Sequence, residues 1–233
     1  MARLPILHRD RWLAVVDKPA GVAVHGGSGV AAADTLLALL AGVGLDGYAP
    51  AHRLDRDTSG CLLVARPEVA EPLRRAFAAK AVEKRYLALC QGPLAEPEGR
   101  IDAPLLRVDP AAPDAGRHKV VVDPEGRPAS TRYRTVNGWV QATLVELVPE
   151  SGRTHQLRVH FAHLGHPLAG DRRYGSKPFN RLLARRYGLD RLFLHALAVN
   201  LVHPTTGGRL AVEAPVPPEL NAVLAALGPP RRR

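Results

Sequence analysis

Nine consecutive residues, His52-Arg53-Leu54-Asp55-Arg56-Asp57-Thr58-Ser59-Gly60, bring together two carboxylates, two guanidiniums, an imidazole and two hydroxyls. A carboxylate beside arginine keeps its charge, because a neighbouring cation favours the ionised form. An ionised Asp can serve as nucleophile, general base or metal ligand. The same residues also suit a polar turn whose Asp, Thr and Ser side chains cap backbone donors. Composition alone leaves both readings open. A second dense stretch, residues 171–191, holds Arg172, Arg173, Lys177, Arg181, Arg185, Arg186 and Arg191 against two acids, a local balance of +5. Such a stretch suits a phosphate backbone or an ordinary solvated helix. His155, His160 and His163 lie close together but lack a Glu-x-x-His or Cys partner, so no metal site is expected.

The elements that must hold these groups follow from pattern. Residues 12–16 form a short β-prone run closed by the turn residues Asp17-Lys18-Pro19-Ala20-Gly21. Residues 34–43 read as a helix with Asp34 as its N-cap. Cys61-Leu-Leu-Val-Ala65 is a continuous apolar run, short enough for a strand buried on both faces. Residues 67–80 read as a helix with proline in its first turn, and 85–91 as a strand. Proline and glycine crowd residues 92–116, which read as a loop excursion. Strands are expected at 119–123, 129–136 and 140–148, spaced as an antiparallel meander. Residues 152–164 read as a helix, since Leu157, Phe161 and Leu164 share one face. Strands at 191–202 and 209–214 and a helix at 218–227 complete the chain. Clustered strands with singly inserted helices argue α+β with a mostly antiparallel sheet.

The 233 residues suit one large domain or two small lobes sharing a core. Lys+Arg number 32 against 22 Asp+Glu, a formal +10, which favours polyanionic partners. The two cysteines, Cys61 and Cys90, lack zinc-site spacing and are too few for a disulfide framework, which places the chain in a reducing compartment. The N-terminus meets Pro5 and then charge before any signal-peptide core forms. No run of about 18 apolar residues is present to span a membrane. A cytoplasmic monomer of one domain, residues 1–233, is expected, with 229–233 as a flexible basic tail.

The nine residues 52–60 resemble the signature of the RluA-type pseudouridine synthases. Val16-Asp-Lys-Pro-Ala-Gly21 with Val24-His25 resembles that family's N-terminal strand and turn, and Glu83-Lys-Arg-Tyr-Leu-Ala88 its tyrosine motif. Gly152-Arg-Thr-His-Gln-Leu-Arg-Val-His160, with Gly165-His-Pro-Leu-Ala-Gly-Asp171, resembles its arginine motif. Leu194-His195-Ala196, leading to His203-Pro-Thr-Thr-Gly207, resembles its closing strands. The ordered motifs run from about Ile6 to Pro215.

The resemblance implies a two-lobed α+β fold with flanking helices and an active-site cleft, and isomerisation of uridine within RNA. Asp55 becomes the essential carboxylate, attacking the ribose or the uracil or stabilising the cleaved sugar. Arg158 becomes the guanidinium that pairs with it, and Tyr86 the aromatic that stacks on the extruded uracil near its C5 proton. Extrusion costs a few kcal/mol, and Arg53 is the candidate to fill the vacated space. On a regular helix Arg153 and Arg158 stand about 140° apart and cannot meet one carboxylate, so Arg153 is placed near the helix start, facing a phosphate. Candidate RNA contacts are His52 (for packing or orientation), Arg53, Arg56, Arg153, Arg172, Arg173, Lys177, Arg181 and Arg185, with Tyr174, Phe179 and Tyr187 available to stack. No cofactor is required, because the reaction is redox-neutral.

Two other readings compete with this one. Asp55-Arg-Asp-Thr58 fits the DxDxT pattern of haloacid-dehalogenase-type phosphatases, but the apolar strand follows the motif instead of preceding it. A non-catalytic RNA-binding assembly factor would carry a broken nucleophile motif, whereas Asp55, Tyr86 and Arg158 are all in place. Within the family the motifs resemble members acting on large-subunit (23S) rRNA. The expected lack of an S4-type module resembles members acting on tRNA or on both RNAs.

Overall fold

The computed structural model describes residues 4–24, 35–108 and 120–230. Expectations for His25, the Asp34 cap, residues 109–116, Lys119 and the Arg231–Arg233 tail lie outside these. The chain is α+β and divides into two compact units, one from Met1–Arg85 with His195–Val216, the other from Tyr86–Leu194 with Pro217–Arg233.

The first unit holds β1 (Ile6–Arg9), β2 (Leu13–Lys18), α1 (Leu36–Gly42), β3 (Ala49–Pro50), β4 (Ser59–Ala65), a 3₁₀ turn at Pro67–Val69, α2 (Ala70–Ala78) and β12 (Arg209–Glu213). It also holds the start of β5 (Glu83–Gln91) and nearly all of β11 (Leu194–Val202). All seven residues of β4 are buried, as a continuous apolar run demands. β4 pairs antiparallel with β2, from Leu13↔Ala65 to Lys18↔Gly60, and parallel with β11 at His195↔Ser59. Leu13, Val15, Leu63, Val69 and Leu73 share a core cluster with Val199 and Leu201, each side chain contributing about 1.5–3 kcal/mol by burial. Gly60 has φ +108, and a Cβ there would lie 2.3 Å from the Ala196 carbonyl oxygen. Only glycine lets β4 begin against β11. α1 starts at Leu36 with Thr35 as its cap, its hydroxyl accepting the Ala38 N–H. β1 is a strand that the sequence pattern does not announce, since its four residues are nowhere fully buried and do not alternate.

The second unit holds the rest of β5, β6 (Glu98–Asp102), β7 (Leu105–Arg107), β8 (Val120–Val122), β9 (Ser130–Gly138), β10 (Ala142–Pro149), α3 (Gln156–His163), α4 (Lys177–Tyr187) and α5 (Pro218–Leu227). β10 runs antiparallel between β5 and β9, and β6 pairs with β9. β6 and β7 correct the expected loop excursion. Both are short, and β6 buries only Ile101, so neither shows a periodic signature.

α3 begins four residues later than expected. His155 adopts a left-handed conformation (φ 54), which a helix cannot continue through. The Gln156 carboxamide organises the turn before it. Its Oε1 accepts from the Ser151 hydroxyl and the Arg153 N–H, and its Nε2 donates to the Ser130 carbonyl and Thr131 hydroxyl. Arg153 therefore lies outside the helix, and the helical angle of about 140° does not separate it from Arg158.

Candidate active site

In the first unit the chemistry-bearing segment is the loop between β3 and β4. Leu54 and Thr58 are buried and pin it, while Asp55 between them is half-buried and Arg53, Arg56 and Asp57 are exposed. The Asp55 carbonyl accepts the Thr58 N–H at 3.1 Å, closing a tight turn. A second segment clamps the loop. Lys18, fully buried at the end of β2, donates from Nζ to the carbonyls of Pro19 (2.8 Å), Val22 (2.9 Å) and Arg56 (3.0 Å). The Arg56 carbonyl also accepts the Gly21 N–H at 2.8 Å, and Arg56 Nε donates back to the Gly21 carbonyl at 2.9 Å. The main chain beside Asp55 is thus held by a buried cation bonded to carbonyl dipoles, an arrangement costly to break because each carbonyl would be left dry.

His52 is engaged by the fold. Its Nε2 accepts the Leu63 N–H at 3.1 Å, its Nδ1 lies 3.4 Å from the Arg53 carbonyl, and its ring centroid is 5.3 Å from that of Phe77. Burial, reinforced by the Lys84 charge, pushes its pKa down to about 3, so the ring is neutral. At the far end of the loop, Ser59 Oγ lies 2.9 Å from His195 Nδ1, both residues buried.

The second unit carries Tyr86 and Arg158. Tyr86, on β5 opposite Leu147 of β10, is 6% exposed. Arg158, also 6% exposed, makes a two-pronged pair with Asp171: Nε to Oδ2 at 2.8 Å and Nη2 to Oδ1 at 2.9 Å. The guanidinium also lies over the Tyr174 ring, 5.1 Å from its centroid. Burial would raise the Asp171 pKa, but the Arg158 fork and the N–H groups of Arg173 and Tyr174 outweigh it, and the carboxyl is held below its usual range. Tyr174 is locked in turn by His155, whose Nδ1 lies 2.7 Å from the phenol oxygen. His160 is spent on Thr131 Oγ1 and the Ala103 carbonyl.

Arg153 Nε donates to the Pro128 carbonyl at 3.2 Å. Ser176 caps α4 and Gly188 ends it. Phe179 and Leu183 are buried, and Lys177, Arg181 and Arg185, four residues apart, form an exposed stripe on the other side. Arg172 is exposed and donates to the Asp190 carbonyl, Arg173 is half-buried, and Arg191 is taken by Glu219 at 2.7 Å. Tyr174 and Phe179, expected to be available for stacking, are buried, as Tyr86 is. Tyr187 stays half-exposed with its hydroxyl held by Gln141.

The candidates therefore fall into two sets: His52, Arg53, Asp55 and Arg56 on one loop of the first unit, and Tyr86, Arg153, Arg158 and the α4 stripe in the second. Lys18 and Asp171 escaped the sequence reading as functional groups. Both fall within motifs that carry the family resemblance, Lys18 in residues 16–21 and Asp171 at the end of residues 165–171, but no role attaches to either there. Among the described residues no group of three or more His, Cys, Asp and Glu is placed to hold a metal ion, and no helix is long and apolar enough to cross a membrane.

The scaffold is a basic α+β fold with charged and polar side chains gathered on the loop before β4 and around α3 and α4. Residues 12–163 match the family described as RNA pseudouridylate synthase, and the chain belongs to that family. It is an RNA-directed isomerase. It is 43% identical over 95% of its length to "Ribosomal large subunit pseudouridine synthase C" of Yersinia pestis, covering 68% of that protein. It is 42% identical over 95% of its length to the protein of the same name from Escherichia coli K12, covering 69% of it. Among solved structures, human RNA Pseudouridylate Synthase Domain Containing 1 superposes with a TM-score of 0.78 at 28% identity, covering 99% of this chain and 97% of that one. Human RNA Pseudouridylate Synthase Domain Containing 4 gives 0.75 at 28% identity, covering 96% and 92%.

Proposed function

We propose that this chain isomerises uridines of 23S rRNA to pseudouridine, with Asp55 as the catalytic carboxylate. The observation that carries the RNA target is the 42–43% identity, over 95% of the chain, to relatives named for the ribosomal large subunit. The N1–C1′ bond breaks, the uracil turns, the C5–C1′ bond forms, the C5 proton leaves and N1 gains one. No electrons are exchanged and no cofactor enters. A carboxylate answers the electron-poor character that develops at C1′ as the bond to the base weakens. What supports Asp55 in this role is the clamp of Lys18 on the adjoining Arg56 carbonyl, which fixes the loop main chain. Arg158, held by Asp171, and Tyr86 are the second unit's groups that serve the reaction. The target uridine is extruded, with Arg53 filling its place. Arg56, Arg153, Arg172, Arg173, Lys177, Arg181 and Arg185 meet the RNA backbone. The chain works as a monomeric single catalytic domain in the cytoplasm.

The test is release of tritium from 5-tritiated uridine in 23S rRNA and, separately, in tRNA. Asp55→Asn is expected to bind RNA as the parent does and to lose release by at least about a thousandfold, as expected when a reacting group is removed. Turnover by Asp55→Asn overturns the carboxylate assignment, and release from tRNA alone overturns the rRNA target.

A further inference from the structure

The exposed basic helix and the buried guanidinium of the second unit are joined through one side chain. Asn180 of α4 grips the turn ahead of the helix with both ends of its amide. Its Oδ1 accepts the Gly170 N–H at 2.9 Å, and its Nδ2 donates to the Asp171 carbonyl at 2.8 Å. That turn has no slack. Gly170 has φ +73, and a Cβ there would lie 1.9 Å from the Arg191 carbonyl oxygen. The Asp171 carbonyl also accepts the Gly175 N–H at 3.1 Å. The carboxylate of the same Asp171 holds Nε and Nη2 of Arg158. A displacement of the turn is therefore a rotation of the fork, and the fork decides where the rest of the guanidinium points. Asparagine is also a poorer helix former than alanine or leucine, so the helix itself does not call for it at this position.

We propose that Asn180 is a positioning residue for the isomerisation: it transmits the seat of α4 to Arg158 through the Gly170–Asp171 turn. The helix that offers Lys177, Arg181 and Arg185 to the RNA is thereby tied to the arginine that serves the chemistry. This rests on the assignment of Arg158 to the reacting site. Asn180 touches no substrate and acts only through its two main-chain partners.

The experiment is a double-mutant cycle on the full chain, read by tritium release and by KM for the RNA. Asn180→Ala and Asn180→Leu both favour the helix, so α4 stays folded. Each is expected to lower kcat about tenfold with KM within about twofold, the signature of a transition-state interaction. In an Arg158→Lys background, which cannot form the two-pronged pair, the same substitutions are expected to cost less than about twofold further. A merely structural role would give additive losses. Additive losses, or a raised KM with unchanged kcat, overturn the role of Asn180 and leave that of Arg158 standing. Unchanged kcat in Arg158→Lys alone removes Arg158 from the reaction and Asn180 with it.

Discussion

At His52 the imidazole belongs to the fold. Its Nε2 carries the Leu63 N–H bond and its ring packs on Phe77, so protonation would break a bond between the loop and β4. With a folded pKa pushed down to about 3 by burial and by Lys84, and an unfolded value of about 6.5, the unfolded chain binds the extra proton between those limits. Stability from this residue is therefore complete above about pH 6.5 and declines as pH falls toward 3. Urea unfolding between about pH 4.5 and 6 is expected to show a His52→Gln variant with a shallower pH slope than the parent, by up to about 1.4 kcal/mol per pH unit. Equal slopes would mean that the ring is not held neutral. Asp171 acts with the same sign at lower pH: its depressed pKa contributes stability above the usual carboxylate range, lost as pH falls through the folded value.

At the scale of elements, α4 combines a buried stripe at Phe179 and Leu183 with an exposed one at Lys177, Arg181 and Arg185. If the exposed stripe meets phosphates, replacing its three residues with glutamine removes three counterion-releasing contacts. The slope of log affinity against log salt is then expected to flatten by about 2–3. An unchanged slope returns the stripe to solvated surface. Part of α4's charge has a second use, since Arg185 and Arg186 sit in the last turn and complement the helix dipole. Elements governed by their own residues were legible: β4 from its unbroken apolar run, and α5, whose Pro218–Leu227 span matches its expectation. Those governed by distant partners were not. The start of α3 depends on Gln156 reaching Ser130 and Thr131 across 26 and 25 residues of sequence. The site divides the same way. Charge density marks the Asp55 loop locally, whereas the Lys18 clamp spans 38 residues and the Asp171 fork on Arg158 spans 13. No local pattern encodes either.

For the whole molecule, the question is whether two compact units make one cooperative structure. Domain boundaries usually fall in exposed, flexible linkers. Here two crossings fall inside strands, between Arg85 and Tyr86 of β5 and between Leu194 and His195 of β11. Three of the nine residues of β5 belong to the first unit and one of the nine of β11 to the second, so unfolding either unit would fray a strand shared with the other, a cost that ties the two transitions together. The cysteines supply one probe on each side: Cys61 on β4 in the first unit, Cys90 on β5 in the second, both free and buried. Burial pushes each thiol up to about 12, with the Asp17 charge adding to the effect at Cys61, so neither reacts while its unit is closed. Brief alkylation across a urea series, mapped by mass spectrometry, is expected to label Cys61 and Cys90 with one shared midpoint. Separated midpoints would show two independently unfolding domains and overturn the assignment of residues 1–233 to one.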